Sequence, residues 1–130
     1  MIVADTNLIA YLLIEGERTG VAHEVYRMDP DWRAPTLWRV EFRNILTMSV
    51  RTGRMQPETA MATWREAALL IRDEPVIETR SLQLALDRGL TAYDAEFAAL
   101  AEALEVPLVT ADRKLLSESD RAVSPETFSA

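Results

Sequence analysis

Short apolar runs that stop at polar residues mark the framework of this chain. Ile2-Val3-Ala4 lacks polar alternation, as a strand covered on both faces does, and it ends at Asp5-Thr6-Asn7. Val106-Pro107-Leu108-Val109 repeats the pattern and ends at Thr110-Ala111-Asp112. Trp32 to Pro35 and Val76-Ile77-Glu78 are two further candidate strands, and Ala122-Val123-Ser124 is a candidate edge strand.

Helical segments fill the intervals. Asn7 to Leu13 opens on Thr6 or Asn7 as cap, and Val21 to Met28 follows the break at residues 15–20. A long helix spans Thr36 to Thr52, and Pro57 begins another that runs through Trp64 to Arg72. Ser81 to Arg88 is stopped by Gly89, and Ala92 to Leu104 is entered through Thr91-Ala92-Tyr93-Asp94, which has the form of a capping box. Arg113 begins a last short helix. A chain of 130 residues is one α/β domain with a single core.

The two strand-end acids raise the question of chemistry. If the runs ending at Asp5 and Asp112 are neighbours in a parallel sheet, both carboxylates emerge at its carboxyl edge, where open α/β sheets bind ligands. Each Asp alone is better explained as the cap of the helix that follows, and it is the pair that points to a site. On the long helix, Leu37, Val40, Ile45 and Met48 share one face and Glu41 falls among them. A carboxylate there must pair with a cation, such as an arginine, or face a cavity. Asp94, in the first turn of its helix, is explained by capping and also fits a metal ligand. Arg39 and Arg43, with Arg51 and Arg54 beyond, make a solvated face or a grip on a phosphate backbone.

Composition narrows the chemistry. The chain has no cysteine and one histidine, His23, which removes thiolate sites, cysteine nucleophiles and paired-histidine catalysis. Hydrophobic residues at 48% and charged residues at 27% are ordinary globular values. A net charge of −7 opposes loose attraction to nucleic acid, so an acidic partner requires a local basic patch or bound cations. No apolar run is long enough to span a bilayer, and the expected setting is the cytoplasm. Several carboxylates placed together repel one another, and a hard divalent ion, Mg²⁺ or Mn²⁺, is their natural counter-charge.

Asp5-Thr6-Asn7, Glu41 after Trp38, Tyr93-Asp94-Ala95 and Thr110-Ala111-Asp112-Arg113-Lys114-Leu115, in this order, resemble a PIN-domain protein, and more narrowly the VapC-type toxins of bacterial toxin–antitoxin modules. The resemblance spans nearly the whole chain. It implies a three-layer α/β/α fold with a central parallel sheet and an Mg²⁺- or Mn²⁺-dependent endoribonuclease. Asp5, Glu41, Asp94 and Asp112 match the family's acids, Thr6 and Asn7 its first-strand motif, and Thr110 the polar position before the last acid. It further implies a homodimer and an antitoxin whose basic tail reaches the acidic pocket. The competing readings are a nuclease of RNA processing, a PIN-like scaffold that binds RNA or protein without turnover, and a phosphoacceptor module. The last needs a lysine at a late strand end, and the sole lysine, Lys114, follows Asp112 instead. An Asp-x-Asp phosphatase is weakened by Asn7, which stands where the second acid belongs.

Overall fold

A computed structural model describes all 130 residues. In chain order the elements are β1 (Ile2–Ala4), α1 (Thr6–Leu13), α2 (Thr19–Met28), β2 (Trp32–Pro35), α3 (Trp38–Arg51), α4 (Pro57–Leu70) and β3 (Arg72–Glu74). They continue as α5 (Glu78–Arg88), α6 (Ala92–Leu104), β4 (Leu108–Val109), α7 (Arg113–Glu118), β5 (Ala122–Val123) and α8 (Pro125–Phe128). The five strands form one sheet in the order β3-β2-β1-β4-β5, every pair parallel. This is the α/β fold with a central parallel sheet that the resemblance implied.

β1 lies at the middle, and its fully buried Ile2, Val3 and Ala4 explain the unbroken apolar run. Helices cover the sheet. α6 contributes the buried Phe97, Ala98 and Leu100 to the core, and its run of alanines lets its backbone come close to β1 and β2. Gly89 terminates α5 at φ 66°, a left-handed turn that glycine adopts without a Cβ clash.

Three expectations are corrected. The third strand is Arg72-Asp73-Glu74 and not Val76-Ile77-Glu78, because an edge strand paired only to β2 can carry charged side chains, here engaged by Arg33, Trp38 and Arg39, and shows no apolar signature. α1 is capped by Asp5 rather than by Thr6 or Asn7. On α3 the buried residues are Trp38, Phe42 and Leu46, whereas Val40 and Met48 are exposed. Glu41 therefore sits at the margin of the core face and not within an apolar stripe.

Trp38 anchors α3. It is completely buried, its Nε1 donates to Asp73 on β3 at 2.7 Å, and its ring packs 5.6 Å from that of Trp64 on α4. Trp38→Ala opens a cavity and frees Asp73, and should lower unfolding free energy by about 3–5 kcal/mol in urea titrations. Against a total of roughly 5–15 kcal/mol, that loss leaves a marginal protein.

Candidate functional site

The register of β1 on β4 builds the site. Ala4 stands opposite Val109, so the next residues, Asp5 and Thr110, leave the sheet side by side. Thr110 is fully buried, and its hydroxyl donates to Asp5 Oδ2 and accepts from the Asp112 amide at 3.0 Å. One hydroxyl thus joins the two strand-end acids. Asp5 Oδ1 accepts from the Leu8 amide at 2.8 Å and Asp112 Oδ1 from the Leu115 amide at 2.9 Å, so both acids are also helix caps.

The other two acids arrive on helices. Asp94 lies in the first turn of α6, where its amide donates to the Thr91 hydroxyl at 3.0 Å. Glu41 projects from the first turn of α3 and accepts a 2.6 Å hydrogen bond from the Thr6 hydroxyl. No arginine pairs with it; it faces a cavity. Asp5, Glu41, Asp94 and Asp112 together line one open cleft of about 270 Å³, with Thr6, Asn7, Asn44, Ile45 and Phe97 completing its walls.

The acids act on one another electrically. Burial pushes the Asp5 carboxyl from 3.8 up to about 6, with Asp112 and Asp94 adding like-charge repulsion and the Thr110 and Leu8 hydrogen bonds opposing the rise. Asp94 is raised by burial and then by Asp112, and Glu41 by burial and by Asp94, with Thr6 in partial opposition. Glu96, outside the cleft lining, is raised as well, by burial and then by the charges of Glu41 and Glu78.

The lining holds no lysine, arginine or histidine, and its polar donors are all oxygens and amides. That donor set fits a hard divalent ion, whose charge would offset the mutual repulsion. As the side chains stand, no three of them converge closely enough to grip an ion. Asp5 turns both oxygens, and Asp112 and Glu41 one each, onto protein donors instead, and a carboxylate offers about four acceptor sites, so capacity for a cation is left.

The remaining candidates lie elsewhere. Arg39 pairs with Asp73 at 2.6 Å and lies over Trp38 and Trp64, and Arg43 stacks 5.0 Å from Trp64. Both belong to the tryptophan cluster of α3 and α4, outside the cleft lining. Lys114 lies 4.0 Å from Glu118 on α7 and near Gly89, so the cleft lacks the lysine a phosphoacceptor module uses. His23 is exposed on α2. Asn44 and Glu96 were absent from the sequence-based candidates. Asn44 could have been found one helical turn beyond Glu41.

The raised Asp5 carboxyl has a direct stability consequence. Because it binds its proton more tightly folded than unfolded, it lowers stability as pH rises from about 4 to about 6, and the loss persists above that. Asp5→Asn keeps a capping oxygen and removes the charge. Thermal melts should therefore show it more stable than wild type at neutral pH, by on the order of 2–3 kcal/mol, with the gain fading below about pH 4.

Comparison with known proteins agrees with this geometry. The PIN-domain family profile matches residues 2–120. A Pyrobaculum aerophilum protein named exonuclease VapC9 is 36% identical over 91 residues, 68% of this chain and 67% of that one. Ribonuclease VapC3 of the same organism is 29% identical over 129 residues, 95% of this chain and 98% of its own. A solved toxin–antitoxin complex from Klebsiella pneumoniae superposes with a TM-score of 0.69 at 22% identity, covering 96% of this chain and 98% of that one. With the profile spanning nearly the whole sheet and all four acids of the cleft inside the matched segment, the chain belongs to the PIN-domain family.

Proposed function

We propose that this protein is a metal-dependent endoribonuclease, the toxin of a type II toxin–antitoxin pair, which hydrolyses RNA phosphodiesters in the cytoplasm. The observation that carries the reading is the cleft itself, with four carboxylates from four separate elements and no cationic side chain in its lining. The ribonuclease name of one relative supports it, as does a structural neighbour solved as a toxin–antitoxin complex. No helix is long and apolar enough to cross a membrane.

Asp5, Asp94 and Asp112 would hold Mg²⁺ or Mn²⁺, with Glu41 as a further ligand or as a base. When bound, such an ion polarises the phosphodiester and acidifies a nearby water. The chain's own residues supply the rest. Thr110 and the Leu8 amide fix the Asp5 carboxylate in one orientation. Thr6 aims Glu41, which would take a proton from the attacking water as the leaving ribose oxygen departs from phosphorus and takes up a proton from solvent. No covalent enzyme intermediate is required. A basic side chain from an antitoxin tail would satisfy the same four acids, which accounts for inhibition in this reading. In this reading the active form is a homodimer.

Cleavage of a circular RNA tests the reading and separates internal cutting from attack at an end, as the exonuclease name of one relative requires. Purified inhibitor-free protein should linearise the circle with Mg²⁺ or Mn²⁺ and not with EDTA. Asp94→Asn should keep or raise its melting temperature and lose at least about a hundredfold in kcat. RNA binding without cleavage under any metal would replace the nuclease by a binding scaffold.

A further inference from the structure

Four acids can hold a cation, yet they repel the RNA phosphates that must come beside it, and donors for those phosphates are scarce. The side-chain donors in the lining are Thr6, Asn7 and Asn44. The Thr6 hydroxyl is committed to Glu41 at 2.6 Å. Asn44 stands on α3 one turn beyond Glu41, exposed, with its amide engaged by no other group of the protein. Its helical neighbours Thr47 and Ser49 do bond back, to carbonyls of Arg43 and Ile45. Asparagine is a poor residue for a helix interior, by roughly half a kcal/mol against alanine, so α3 gains nothing from it locally.

We propose that Asn44 is a substrate-contacting residue, whose Nδ2 donates to a non-bridging phosphate oxygen of the RNA at the acidic cleft. This rests on the nuclease reading and deepens it. An amide suits the position because it donates without charge. A lysine or arginine one turn from Glu41 would pair with the acids and displace the cation that they are placed to hold. A neutral donor leaves the acids to the ion and still gives the phosphate a hydrogen bond.

The experiment compares wild type, Asn44→Ala and Asn44→Asp by fluorescence polarisation with a fluorescein-labelled oligouridylate in Ca²⁺, beside Ca²⁺ titrations without RNA and thermal melts. The expected result is RNA affinity about ten- to a hundredfold weaker in Asn44→Ala, the size of one lost hydrogen bond to a charged group. Asn44→Asp, equal in shape but charged and without the donor, weakens RNA further while Ca²⁺ affinity is kept or improved. In the Mg²⁺ cleavage assay the change falls on KM more than on kcat. RNA affinity equal in all three proteins overturns the proposal. So does a loss of Ca²⁺ affinity in Asn44→Ala that accounts for its loss of RNA, since Asn44 would then be an ion ligand. Wild-type protein that binds RNA without cutting it removes the nuclease reading and leaves the Asn44 comparison intact. Wild type that neither binds nor cuts overturns both.

Discussion

The structure depends on a carboxylate carried into the interior at the end of its central strand. Asp5 is almost fully buried, and charge in that setting loses its hydration without a paired cation to replace it. Two hydrogen bonds, from Thr110 and from the Leu8 amide, offset part of that loss and leave the proton affinity well above the ordinary range. Each of the other cleft acids then adds to an electrical load that the protein alone does not discharge. The most economical physical account is a counter-charge from outside, whether an ion or a basic group of a partner.

Capping and catalysis are not competing explanations here. Asp5 and Asp112 each direct one carboxylate oxygen to the first turn of a helix. Those helices in turn fix where the other oxygen can go. An acid held this way loses little freedom when an ion arrives, because its backbone and one oxygen are already placed. Thr110 does the same for the pair by contacting both at once.

Much of this was legible in the sequence, for identifiable reasons. β1 sits between two strands and under helices, so its apolar run could only be a covered strand. The Thr91 cap and the Gly89 stop fixed both ends of the α5–α6 turn. β3 was not legible, because strand pairing at an edge is made by backbone groups and Arg72-Asp73-Glu74 shows no apolar period. The helical wheel of α3 misassigned the buried face because it was centred on Val40 and Met48, whereas the tryptophan cluster draws Trp38 inward. Glu41 reached the cleft all the same, for a residue at the margin of a buried face looks along it. Asn44 carries no charge to mark it, and its spacing of one turn from Glu41 gains meaning only once the cleft walls are seen.

The central position of β1 also bears on when the protein can act. Its neighbour β4 comes from the far end of the chain, and the hydrogen bond between Thr110 and Asp5 joins residues 105 positions apart. During synthesis the first strand must therefore wait for the last acid to emerge before the cleft exists. Before β4 emerges, the nascent chain has three of the four acids and lacks the strand that sets Thr110 and Asp112 beside Asp5. Whatever this site does to RNA, it cannot begin until the chain has been made at least as far as Asp112.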